Sequence, residues 1–111
     1  MSVEVKTIGD SKIIVVPKRF DAYTANSVEL ELTRLIGEGA RKIVCDFSQT
    51  EYLASAGLRV LLTASKSLQR TGGKMGLCSI KAYVLEVFEI SGLNRIFKIF
   101  GSADAALQDL K

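Results

Sequence analysis

The 111-residue chain is expected to fold as a single α/β domain over residues 1–111, a mostly parallel five-stranded sheet with an antiparallel first strand and about four helices. Three observations lead there. An alternating segment, a Gly9-Asp10 turn and a strongly apolar segment read as a hairpin at the N-terminus. After it, helical and strand-like periodicities alternate as far as the C-terminus. The longest apolar runs are strand-sized. A hairpin followed by regular αβ alternation calls for parallel strands joined by right-handed crossovers.

The elements follow in order. Val3 to Ile8 alternates apolar and polar residues, and Lys12 to Val16 forms the more buried second strand, ended by Pro17. Thr24 is placed to cap a first helix, in which Val28, Leu32, Leu35 and Ile36 share one face until Gly37 and Gly39 stop it. Lys42 to Phe47 is nearly all apolar, as a central parallel strand covered on both faces should be. Leu58, Leu61, Leu62, Ser65 and Leu68 keep helical spacing, and Thr71-Gly72-Gly73 terminates that second helix. Lys74 to Ser79 is a strand. Lys81 to Ile90 is a third helix with Val84, Val87 and Phe88 inward, closed by Ser91-Gly92. Ile96 to Phe100 makes the last strand, and Ser102 caps a terminal helix facing inward through Ala103, Ala106, Leu107 and Leu110.

Composition narrows the function. Hydrophobic residues make up 48% and charged residues 24%, ordinary for a globular domain able to bury one core. No apolar run is long enough to span a membrane, and Met1 to Lys6 lacks the marks of a signal peptide. Cys45 and Cys78 fall at strand positions and read as buried, reduced thiols, so the cytoplasm is the expected location. The net charge of +3 is scattered, with Lys18-Arg19 and Arg41-Lys42 beside turns and no basic stripe interleaved with aromatics. Nucleic acid is therefore not an expected partner. The chain has no histidine, which removes the usual general base near neutral pH and the commonest transition-metal ligand. Without a dense carboxylate cluster or a CxxC pair, no catalytic residue, metal site or cofactor is assigned, and the chain reads as a binding protein rather than an enzyme.

Ser55 is the most informative residue. It follows the strand ending at Phe47 and precedes the amphipathic stretch from Arg59 to Arg70, at the mouth of a helix. A helix N-terminus carries unpaired N–H donors and partial positive charge, so it can receive an anion. Ala54, Ala56 and Gly57 are small and leave room around the hydroxyl, and loops at the carboxyl ends of parallel strands are the usual seat of function. A plain N-cap role for Ser55 competes with that reading. A nucleophile elbow does not, because Leu53 stands where glycine is needed and no histidine is available. Gly72-Gly73 follows a helix and precedes a strand, the reverse of a phosphate loop, and serves to end the helix. Leu58 and Leu93 read as core residues.

Three segments in order carry a resemblance. Tyr52-Leu53-Ala54-Ser55-Ala56-Gly57-Leu58-Arg59-Val60-Leu61-Leu62 resembles the phosphorylation loop of the anti-sigma-factor antagonists, the bacterial STAS domains. Phe20-Asp21-Ala22-Tyr23-Thr24-Ala25 resembles that family's entry to the first helix, and Ser91-Gly92-Leu93-Asn94-Arg95-Ile96-Phe97-Lys98-Ile99 its run before the last strand. The resemblance implies five strands in sequential order and a protein that binds an anti-sigma factor, itself a serine kinase, and so frees a sigma factor. The kinase would phosphorylate Ser55 and release the antagonist, and a separate serine phosphatase would reverse the step. ATP would bind the kinase, leaving this chain without a cofactor. The implied partner-binding residues are Asp21, Thr24, Ala54, Ser55, Ala56, Gly57, Leu58 and Arg59. Asp21 matches the family's acidic residue near the first helix; an acid placed to favour the helix dipole reads equally well. The chain departs from the family at Ala54, where Asp is common, and at Lys18, where glycine is common. A STAS module for another partner without phosphorylation is the alternative. A nucleotide-binding domain comes third, since no phosphate loop or metal carboxylates can be recognised.

Overall fold

Val5–Ile8 (β1) turns through Gly9, at φ +61°, into Ser11–Val15 (β2), and the two pair antiparallel with Val5 opposite Ile14 and Ile8 opposite Ser11. The structure, a computed structural model, describes residues 3–111. Then come Arg19–Phe20 (β3), Ala25–Gly37 (α1), Lys42–Asp46 (β4), Tyr52–Leu53 (β5), Ser55–Arg70 (α2) and Lys74–Cys78 (β6). Ala82–Ser91 (α3), a 3-10 turn over Leu93–Arg95, Lys98–Phe100 (β7) and Ala103–Asp109 (α4) complete the chain. The main sheet has five strands in the order β1-β2-β4-β6-β7, all parallel beyond the β1–β2 hairpin. That is the sheet, strand order and helix number expected from the sequence.

The pleat of the central strands explains the two-sided burial. In β4, Ile43 and Cys45 join the cluster that α1, α2 and α3 cover through Val28, Leu32, Leu61, Leu68 and Phe88, whereas Val44 faces the other way. There α4 alone closes the sheet, setting Ala106 and Leu110 over Ile13, Val44 and Cys78. Each fully buried large apolar side chain contributes roughly 1.5–3 kcal/mol. Within the larger cluster, Phe20, Phe47, Phe88 and Phe97 form a chain of rings with centroids 6.4, 5.9 and 6.3 Å apart. Cys45 and Cys78 are buried and free, and burial pushes both thiols above their ordinary range.

Several details differ from the sequence expectation. β4 ends at Asp46, because the Asp46 carboxylate accepts the Ser48 N–H at 2.9 Å and turns the chain. β7 begins at Lys98 because Leu93–Arg95 winds into a 3-10 turn, with Ile96 N–H and Phe97 N–H both donating to the Leu93 carbonyl. α2, by contrast, starts at Ser55, where the sequence placed the mouth of a helix. Finally, β3 and β5 pair parallel as a separate two-stranded sheet that was not expected at all.

Candidate functional site

The small sheet builds the site. Arg19 lies opposite Tyr52 and Phe20 opposite Leu53. The Lys18 carbonyl accepts Glu51 N–H at 2.7 Å and Tyr52 N–H at 3.2 Å, and the Phe20 carbonyl accepts Ala54 N–H at 3.0 Å. Thr50, wholly buried, donates its hydroxyl to the Val16 carbonyl at 3.2 Å and fixes the loop from below. The Ser55 loop is thus tied to the segment between β2 and α1. In each short strand the second residue points into the core and the first outward, leaving Phe20 and Leu53 buried beneath the loop and Arg19 and Tyr52 on the surface.

Gly57 rests on that buried pair. A Cβ there would stand 2.9 Å from Phe20 Cγ and 3.0 Å from Leu53 Cδ1, so only glycine lets the first turn of α2 lie directly on the Phe20 ring. The N-cap position belongs to Ala54, in an extended conformation (φ −111°, ψ 169°), and its carbonyl accepts both Gly57 N–H and Leu58 N–H. Ser55 is therefore the first helical residue and not the cap, which removes the plain capping role. Its side chain is exposed, and among the described residues its hydroxyl makes no hydrogen bond. The amides of Ser55 and Ala56 precede the first helical carbonyl and have no partner within the helix. No acid occupies the first turn, so the positive end of α2 is uncompensated.

Asp21 and Thr24 sit one strand away, across Phe20. Asp21 is 9% exposed; Oδ1 accepts Tyr23 N–H at 3.0 Å and Oδ2 accepts Arg19 Nε–H at 3.3 Å. Its carbonyl accepts Thr24 N–H and Ala25 N–H, forming the turn into α1. Asp21 thus closes the turn that leads into α1, its carboxylate accepting a backbone N–H ahead of the helix. Thr24 holds the N-cap position without capping: its hydroxyl donates to the Arg19 carbonyl at 2.7 Å and accepts Asp21 N–H at 3.1 Å.

Of the residues singled out from sequence, Ser55 and Arg59 are exposed and Ala54 and Ala56 half-buried, Ala54 to Ala56 at the start of α2 and Arg59 one turn on. Gly57 and Leu58 are buried beneath them, and Asp21 and Thr24 are buried in the adjoining turn. Leu58 belongs to the core, and Leu93 packs against it half-buried. Arg19 and Tyr52 were not anticipated, yet the Arg19 guanidinium lies 4.5 Å from the Tyr52 ring centroid. Their signal was the polar-out, apolar-in pairing of Arg19-Phe20 and Tyr52-Leu53, too short to read as a period. Among the described residues no group of three or more His, Cys, Asp or Glu could hold a metal, and no helix is long and apolar enough to cross a membrane.

The family model described as STAS domain matches residues 2–106. BtrV of Bordetella bronchiseptica, which carries the name of an anti-sigma factor antagonist, is 41% identical over 91 residues, spanning 82% of this chain and 78% of BtrV. A Thermotoga maritima crystal structure of a protein named in the same way superposes with a TM-score of 0.91 at 24% identity, covering 97% of this chain and 93% of that one. The anti-sigma factor antagonist SpoIIAA in its unphosphorylated form gives a TM-score of 0.85 at 18% identity, covering 97% and 95%. SpoIIAA of Bacillus in its phosphorylated form gives 0.78 at 17%, covering 99% and 100%. At such identities the solved structures speak for the fold.

Proposed function

This chain belongs to the STAS domain family, and from that membership we propose that it is an anti-sigma factor antagonist controlled by the state of Ser55. Unmodified, it binds an anti-sigma factor that is also a serine kinase and so frees the sigma factor, in the cytoplasm. The kinase phosphorylates Ser55 and lets go, and a serine phosphatase restores the binding form. One observation carries the reading: the Ser55 hydroxyl stands exposed on the first turn of α2, unengaged by any other described residue. BtrV bears the name of an anti-sigma factor antagonist, and SpoIIAA is known in a phosphorylated form.

The physics of the switch is one of unequal costs. A phosphoserine adds about −1.5 to −2 charge. At the amino end of α2 that charge is favourable by roughly 0.3–1 kcal/mol, so the domain stays folded. Against a docked surface the same charge has to be desolvated or repelled, and each 1.4 kcal/mol lost weakens binding about tenfold. Incubation with the anti-sigma factor kinase and ATP, followed by intact mass, tests the proposal. One added phosphate on wild type and none on Ser55→Ala is expected, with the phosphorylated protein losing its affinity for the kinase. Stable binding without phosphate transfer would leave an unswitched interaction module. An equal mass gain on Ser55→Ala would move the acceptor elsewhere.

A further inference from the structure

On the short strand that pairs with the segment leading to Ser55, one cation is held on two sides with four of its five N–H donors unused. Arg19 gives its Nε–H to Asp21 Oδ2 at 3.3 Å and stacks its guanidinium on Tyr52 at 4.5 Å. Asp21 is pinned in turn, because its other oxygen accepts Tyr23 N–H and the Thr24 hydroxyl accepts its own N–H. Among the described residues no acceptor meets the two terminal nitrogens of Arg19, whose side chain is 65% exposed. Arg19 lines a shallow hollow of about 370 Å³ together with Lys18, Asp21 and Tyr23, and Tyr23 is 94% exposed.

A planar guanidinium with a free edge is matched by a carboxylate, which it can bind through two parallel N–H donors. Arg and Tyr are also the side chains in which binding energy concentrates at protein interfaces. We propose that Arg19 anchors a carboxylate-bearing segment of the protein partner, with Tyr23 and Tyr52 as its flanks, and that Asp21 is a positioning residue that holds Arg19 without touching the partner. This rests on the reading that the chain docks on an anti-sigma factor, and it names the chemistry of what docks. Asp21 has both oxygens engaged inside the turn, whereas Arg19 has two nitrogens to offer. Holding the guanidinium in place beforehand spares the ordering of a rotamer-rich side chain on docking. It also gives release a direct cause. Arg19 is the register partner of Tyr52, three residues before Ser55, so an acidic segment brought to Arg19 meets a phosphate on Ser55 as a like charge.

Two measurements on the full chain decide the matter. Acetyl-Glu-Glu-Glu-amide, titrated against the ¹⁵N-labelled protein, should shift Arg19 Nε–H and the amides of residues 18–24 and 52. Acetyl-Gln-Gln-Gln-amide should not, and Arg19→Met should abolish the effect. Affinity for the anti-sigma factor kinase should fall about 10- to 100-fold in Arg19→Met and several-fold in Asp21→Asn, with the double variant no weaker than Arg19→Met alone. Should Asp21→Asn fail to fold, Tyr52→Leu frees the guanidinium from its other side and takes its place in the cycle. An unlocalised peptide response, or one that survives Arg19→Met, overturns the anchor. An Asp21→Asn loss of equal size in both backgrounds overturns the positioning role. A peptide response at Arg19 with no kinase binding by wild type would overturn the named partner and leave the anchor standing.

Discussion

Replacing Gly57 by alanine sets two familiar effects against each other. In an open helix the change is stabilising by about 0.5–1 kcal/mol, because glycine has more backbone freedom to lose. Here the added methyl would stand 2.9 Å from Phe20 Cγ and Cδ2 and 3.0 Å from Leu53 Cδ1, about half an ångström or more inside normal carbon contact. The Phe20 ring has nowhere to retreat, being wholly buried with Phe47 behind it at 6.4 Å. Overpacking of this kind costs roughly 1–3 kcal/mol, so Gly57→Ala should be destabilised by about 1–2 kcal/mol net. For a domain of this size that lowers the melting temperature by roughly 4–10 °C. Thermal unfolding followed by circular dichroism measures it. The displaced Phe20 would also carry β3 with it, and affinity for the partner should drop by more than the fraction unfolded accounts for. Gly73→Ala is the control: its Cβ would stand 2.7 Å from the Arg41 carbonyl oxygen, a comparable clash at the far end of α2, and it should lower stability without altering binding. A Gly57→Ala protein that melts at or above wild type, with the Phe20 ring resonances unmoved, would refute the packing argument.

Other substitutions probe the same frame. Ala54→Ser supplies the missing cap to a backbone already extended at that position, and should raise stability by about 1 kcal/mol in urea unfolding. Thr24→Val deletes the hydroxyl that links Arg19 to Asp21, and should cost roughly 1–3 kcal/mol by the same measurement. Phe88→Ala removes the ring that contacts both Phe47 and Phe97, and should cost about 3–5 kcal/mol. Burial raises the Cys45 and Cys78 thiols, so the folded protein keeps both protons while the unfolded chain releases them above about pH 8.5. Their contribution to stability is therefore complete below that pH and fades above it, a decline that a Cys45→Ala, Cys78→Ala protein should show less steeply.

Much of the frame was legible in the sequence because its elements are long enough to have a period. The Val28, Leu32, Leu35 series and the apolar Ile43-Val44-Cys45 run each state which face is buried. The serine could be read as lying at a helix start from the strand before it and the amphipathic stretch after it. The two-residue strands that hold it could not, since two residues have no periodicity and their pairing joins distant parts of the chain. For the same reason the inward turn of Asp21 was hidden: an aspartate before a helix looks alike whether it faces solvent or clamps an arginine. Ala54 rather than Ser55 takes the cap because the Phe20 carbonyl fixes the Ala54 amide, a long-range contact that no local rule encodes.

The parallel pairing of Arg19-Phe20 with Tyr52-Leu53 makes the serine's surroundings a product of tertiary structure. A linear peptide copied from this loop would lack Phe20 beneath it and the carbonyl that aligns Ala54. Under the proposed switch, phosphate transfer to such a peptide should therefore be weaker than to the folded domain.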